Sequence, residues 1–173
     1  MVVLLFGSPM LAQGVSASTL KAAFLFNFVK FTEWPADTVS PDMPLTLCVL
    51  GDDVVQAELE KTVKGQRVGE HSLIVVRVNI DGALRSCHVL YVTGLDRRRS
   101  LPLIARINGA AVLTVSDANE FAALGGVAQL FVESGKMRFA INPSSALRAR
   151  LRISSKLFAL AKLVKDGTDG PVQ

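Results

Sequence analysis

Between Leu20 and Pro35 apolar residues return at the spacing of a helix. Leu20, Phe24, Phe28 and Phe31 share one face, Leu25 and Val29 widen it, and Lys30 and Glu33 mark a narrow polar edge. A membrane span needs about 18 to 20 uninterrupted apolar residues. Lys21, Asn27 and Lys30 interrupt this stretch, so the pattern predicts a helix buried on most sides within a protein. Phe26 falls on the polar edge and Asn27 sits beside the apolar stripe. That Phe is either covered by a neighbouring loop or offered to a partner. Pro35 sets the expected end of the helix, because the residue before a proline is pushed toward extended geometry.

Beyond Pro35 the pattern shortens. "LTLCVLG" (45–51) is a continuous apolar run closed by Gly, and "DDVVQAELEKTVKG" carries helical spacing at Val54, Val55, Leu59 and Val63. "HSLIVVRVN" (71–79) and "CHVLYVTG" (87–94) read as two further strands joined by the brief "IDGALRS". A helix-like "LDRRRSLPLIARI", the strand "AAVLTVSD" (110–117) and a short helix from Asp117, capped with Glu120, follow. Runs apolar on both faces, alternating with helices, predict a parallel sheet covered on both sides. The ending differs: "VAQLFVESGKMRFAIN" has the signature of a hairpin turning at Glu133 to Lys136. Asn142 is placed to cap a helix with Pro143 at its first position, and Ser154 to cap a last amphipathic helix over "ISSKLFALAKLV". The expected class is α/β: a three-layer sandwich with a mostly parallel, doubly wound sheet of Rossmann or flavodoxin type and an antiparallel hairpin at one edge.

Composition adds a compartment. Half of the 173 residues are apolar, enough for one core. Residues 1–19 carry no charged side chain, with an apolar run at Val2 to Phe6 and a Val15-Ser16-Ala17 ending like a leader cleavage site, although the usual basic start is missing. Residues 1–17 are therefore expected to be a signal peptide, 18–165 a single domain, and 166–173, polar and Gly-rich, a flexible tail. Export would place the protein in the periplasm and argues against nucleic acid as the target of its net charge of +4.

Candidate chemistry is sparse. In a sheet of order 2-1-3-4-5 the first and third strands are neighbours; Cys48 lies in the first and Cys87 opens the third, so a disulfide is compatible with the topology, the alternative being two buried thiols. His88 follows Cys87 directly and so points to the opposite face of a strand; His71 stands alone, and two scattered histidines do not make a zinc site. Asp52 and Asp53 would cap the next helix or hold a cation. Nucleotide-binding loops and a nucleophile elbow are absent from the sequence. No metal, cofactor or catalytic residue is expected. Arg97 to Arg99 and the ladder Arg148, Arg150, Arg152 and Lys156 form either a solvated face or a docking surface for an acidic partner or phospholipid headgroups.

"LKAAFLFNFVKFTEWP", "LCVLGDD", "CHVLYV", "VLTVSD…FAALGGVAQLFVESGKMRFAIN" and "LRISSKLFALAKLV", in this order, resemble the YfiR-like periplasmic proteins over about Leu20 to Val164. The resemblance implies a non-enzymatic repressor that binds the periplasmic portion of an inner-membrane diguanylate cyclase, is relieved by an outer-membrane lipoprotein, and is linked to redox state through disulfides. Cys48 and Cys87 match the family's first cysteine pair; a second pair that some members carry near the Gly-Gly and hairpin segment has no counterpart here. Expected contacts with the partner are Phe26, Arg148, Arg150, Arg152 and Lys156, with a second copy of the chain a further candidate partner. The rival from another class is a small-molecule-binding domain using the strand-end rim of Gly51, Asp52, Asn79, Thr93, Gly94, Ser116 and Asp117.

Overall fold

The computed structural model describes residues 14–167. Most of the expected leader, and the tail beyond Gly167, lie outside the described residues. The first helix, α1 (Ala17–Lys30), is capped by Ser16, whose hydroxyl accepts the Thr19 N–H. A two-residue strand β1 (Thr32–Glu33) follows. The parallel units are β2 (Leu45–Leu50), α2 (Asp53–Val63), a short hairpin of β3 (Arg67–Val68) with β4 (His71–Arg77), then β5 (Val89–Val92), α3 (Arg97–Ile107) and β6 (Leu113–Ser116). The chain closes with β7 (Ala128–Glu133), β8 (Lys136–Ile141), α4 (Pro143–Arg148), β9 (Arg152–Ile153), α5 (Ser155–Leu160) and β10 (Lys162–Leu163).

Among the described residues eight strands form one sheet in the order β10-β8-β7-β6-β5-β2-β4-β3. Its centre, β4-β2-β5-β6-β7, is parallel throughout and follows the doubly wound 2-1-3-4-5 order. The β7–β8 hairpin is the antiparallel addition, turning through Ser134 and Gly135, both at positive φ. Alternation along the strands builds two cores. Leu47, Val49, Tyr91 and Val115 face α1 and α2, packing on Leu25, Phe28, Val55 and Leu59, while Cys48, Leu50, Leu90 and Val92 face α3 through Leu103 and Ile107. Phe139 of β8 meets Phe28 and Phe24 edge-on, at 5.2 and 5.7 Å between centroids, and so ties the hairpin to α1.

Several local expectations need correction. The buried face of α1 is centred on Ala22, Leu25, Phe28 and Val29, and Leu20 is 37% exposed. Lys21, which reads as a polar break, points inward and pairs with the half-buried Asp117. The helix ends at Phe31, ahead of Pro35, because Phe31 offers its carbonyl to the Ser154 N–H and β1 pairs antiparallel with β9. No helix starts at Asp117. The segment to Gly125 is a series of turns with Glu120 at φ 60°, and the Asp117 carboxylate is committed elsewhere. The last helix stops at Leu160, and Lys162–Leu163 runs as a strand along β8. Finally, β4 is covered on one face only. A single 3-10 turn at Leu84–Ser86 stands where a crossover helix would lie, leaving Ile74 and Val76 exposed.

Candidate functional site

The two cysteines meet across that shortened crossover. Cys48 sits in β2, and Cys87 ends the 3-10 turn two residues before β5 rather than opening the strand itself. Their Cα atoms are 5.8 Å apart and the sulfurs are bonded, pinning the crossover to the sheet in place of a helix. His88 is likewise structural. Its Nδ1 accepts the Thr46 N–H at 2.9 Å and its carbonyl accepts from the Trp34 indole at 3.1 Å. Burial lowers its pKa and keeps the ring neutral. The ring of His71 lies 2.9 Å from the Met43 carbonyl oxygen.

Doubly wound sheets hold small ligands in the crevice beyond the carboxyl ends of their strands. Here the side chains at the ends of β5 and β6 are bonded to one another and to α1. Lys21 of α1 reaches in and pairs with Asp117 at 2.6 Å, its ammonium 5.9 Å from the centre of the Tyr91 ring. Thr93 and Tyr91 donate their hydroxyls to the same carboxylate at 2.8 and 3.2 Å. Burial alone would raise the Asp117 carboxyl, but the bonds from Lys21 and Thr93 outweigh it and hold it below the ordinary range. Burial opposes the charge on Lys21 too, and Asp117 overcomes it, so the lysine pKa is raised. Tyr91 is pushed up to about 12, first by burial and then by the Asp117 charge. At neutral pH these groups therefore stand as ammonium, carboxylate and neutral phenol, none poised near 7 as a general acid or base would be.

Of the strand-end residues, the fold brings Gly51, Thr93 and Asp117 together. Gly51 has φ 89°, and a Cβ there would lie 3.1 Å from the Thr93 carbonyl oxygen, so the backbone approach favours glycine. Gly94, at φ 69°, turns the chain just past β5. Asp52 faces away to cap α2, accepting from Val54 and Val55, and Asp53 pairs with Arg77. Ser116 is fully buried and accepts the Ala118 N–H, while Asn79 uses its carbonyl in the crossover turn.

The expected contact residues separate into groups. Phe26 is half-buried against the core, with the Lys30 ammonium 5.5 Å from its ring centre, and Asn27 bonds back to the Ala23 carbonyl. Lys30 also lines an open groove of about 360 Å³ along the β1–β9 pair, with Glu33, Arg152 and Lys156. Arg150, at φ 55°, pairs instead with Asp37, and Arg152 approaches Glu33 at 3.7 Å. Arg148 does not line that groove and binds Asp166 instead. Lys21 and Asp166 are the participants that residue spacing passes over; a single lysine inside an apolar helical stripe is the one signal that marks the first.

Such a chain is a doubly wound α/β domain in which Lys21, Tyr91, Thr93 and Asp117 bond to one another at the strand ends. Residues 18–162 match the YfiR/HmsC-like family model, and the chain belongs to that family, a regulatory one. Two solved structures share the fold. One is a conserved domain protein from Vibrio cholerae, 13% identical, with a TM-score of 0.57 over 87% of this chain and 61% of that one. The other is an ABC domain in complex with L-Trp from Streptococcus pneumoniae, 12% identical, with a TM-score of 0.55 over 83% of this chain and 60% of its own. The chain thus spans about three fifths of the length of each. Among the described residues no helix is long and apolar enough to cross a membrane.

Proposed function

We propose that this protein is a periplasmic repressor that acts by contact, binding the periplasmic portion of an inner-membrane diguanylate cyclase and lowering its output without catalysing a reaction. The family match over residues 18–162 carries this reading. The groove joining Lys30, Arg152 and Lys156, with Phe26 beside it, supports a surface that recognises an acidic, partly apolar partner. The Cys48–Cys87 bond fits an oxidising compartment. An outer-membrane lipoprotein would relieve repression by competing for the same chain.

The rival, a domain that senses a small molecule at the strand ends, must first eject Lys21 from Asp117. A thermal-shift screen of periplasmic metabolites separates the two, since a strand-end ligand at 100 times its Kd adds about 2.7 kcal/mol. The direct test measures cyclic di-GMP made by the cyclase with and without the purified chain. Repression is expected, with partner affinity falling at least tenfold when Phe26→Ala, Arg152→Glu and Lys156→Glu are combined. An unchanged cyclic di-GMP yield at saturating wild-type chain overturns the repressor, and unchanged binding by the triple variant overturns the contact assignment.

A further inference from the structure

The C-terminal strap ends in a contact that is built like a binding site. Leaving α5, the chain lays Lys162 and Leu163 beside Ala140 and Ile141 of β8, and Val164 donates its N–H to the Ile141 carbonyl. The Asp166 carboxylate then enters a clamp. Arg148 donates to its two oxygens at 2.6 and 3.0 Å, and the Asn142 side-chain amide donates to one of them at 2.7 Å. Asn142 is fully buried. Its amide also donates to the Ala122 carbonyl and its oxygen caps α4, so one of its two N–H groups depends on Asp166. Ser145, itself buried, accepts from Arg148 at 2.8 Å and fixes the guanidinium. A fork of this kind, backed by a buried amide, recognises a carboxylate by geometry as well as charge.

The strap covers little of the edge it occupies. β10 pairs with two residues of β8, leaving Lys136 to Phe139 without a strand beyond them among the described residues. The uncovered stretch carries Lys136 and Arg138, and the strap itself carries Lys162 and Lys165, so the edge is basic. An extended acidic segment could bond along all six residues of β8 and still deliver a carboxylate to the clamp, which the strap in its present register does not.

We propose that Asn142, Ser145 and Arg148 form a carboxylate receptor that Asp166 occupies in the resting chain, and that an extended acidic segment of a partner protein takes by displacing the strap Lys162–Gly167. The proposal rests on the contact-repressor reading for the existence of that partner. The receptor itself is testable without one.

The probe is a synthetic peptide, Lys-Leu-Val-Lys-Asp-Gly, copying residues 162–167, together with its Asp→Asn form. Full-length Asp166→Asn chain, checked as folded by its thermal melt, should bind the Asp peptide at least tenfold tighter than wild type does. Binding should vanish with the Asn peptide and in the Asp166→Asn, Arg148→Gln double variant. A folded Asp166→Asn chain that ignores the peptide, or binds both peptides alike, overturns the receptor. Should the variant not fold, wild-type hydrogen exchange decides: Val164 and Gly167 amides opening well before those of the β7–β8 hairpin support a detachable strap, and opening only with global unfolding overturns it. A strap-exchanged dimer of the wild-type chain would make a second copy the occupant and overturn the partner segment. Peptide failure with intact cyclase repression removes the receptor alone, whereas lost repression with peptide binding intact removes the partner reading alone.

Discussion

At the residue scale, charge placement decides more than charge count. Lys21 and Asp117 are mostly buried, and each loses hydration that only the other, with Thr93 and Tyr91, restores. Removing one member of such a pair leaves its counterpart buried and uncompensated. Asp117→Asn preserves shape while deleting the charge, and is expected to cost about 1–3 kcal/mol at pH 7. Because the folded carboxyl lies below its ordinary value, this stabilisation is complete above the unfolded pKa, about 4, and is lost as pH falls through the folded pKa. The raised Lys21 pKa sets the other limit: its contribution is complete below about pH 10 and is lost as pH rises through the folded value. Urea denaturation should therefore show a constant gap between wild type and variant from pH 5 to 9 that closes at acid pH. A gap that persists unchanged at pH 2.5 would show that the pair does not stabilise through its charges.

At the element scale, what was legible had a period or a cap. Strands β2, β5, β6 and the β7–β8 hairpin announced themselves as apolar runs with turn residues between them, and Asn142 and Ser154 cap the helices expected of them. The pairs β1–β9 and β8–β10 involve strands of two residues, too short to carry any alternation; β1–β9 joins the chain just after α1 to the segment after α4, and β8–β10 joins two strands of the C-terminal part. Asp117 followed by Glu120 looks like a helix start in sequence, yet the carboxylate is better served by Lys21, 96 residues away. The Arg148–Asp166 clamp, whose partners are 18 residues apart with two short strands and a helix between them, is hidden for a related reason, since no periodic pattern links the two. The brevity of "IDGALRS" leaves no room for a crossover helix, although the pattern of apolar runs predicted a sheet covered on both faces, and the disulfide ties the short crossover to β2 just ahead of β5. Closing a loop of 39 residues stabilises by about 4 kcal/mol in the chain-entropy description. Reduction should then lower Tm by roughly 8–16 °C for a chain of this size, with exchange protection lost first around Leu84 to His88. An unchanged Tm after verified reduction would mean that packing of Leu84 alone holds the crossover.

At the scale of the whole molecule, the basic excess is sorted by the fold. Arg77, Arg97, Arg148, Arg150 and Arg152 are each set beside an acidic group, and such exposed pairs contribute little to stability. Among the described residues many cations, Lys64, Arg85, Arg98 and Arg106 included, have no carboxylate within 4 Å, and Lys30, Lys136, Arg138, Lys156 and Lys162 are five of these. These five mark the β1–β9 groove and the β8 edge, the two places where partner contacts are proposed. Charges so placed act chiefly on encounter, because attraction over tens of ångströms guides approach while dissociation is governed by the close contacts. Raising NaCl from 50 to 500 mM shortens the Debye length from about 14 to about 4 Å, and should slow association with the cyclase's periplasmic portion by about tenfold while leaving the dissociation rate within about twofold. The Lys136→Glu, Arg138→Glu, Lys156→Glu variant should associate slowly already at low salt and respond weakly to added salt. If surface plasmon resonance gives an association rate that neither salt nor this variant alters, the unpaired cations are ordinary solvated surface and recognition is carried by the apolar contacts around Phe26.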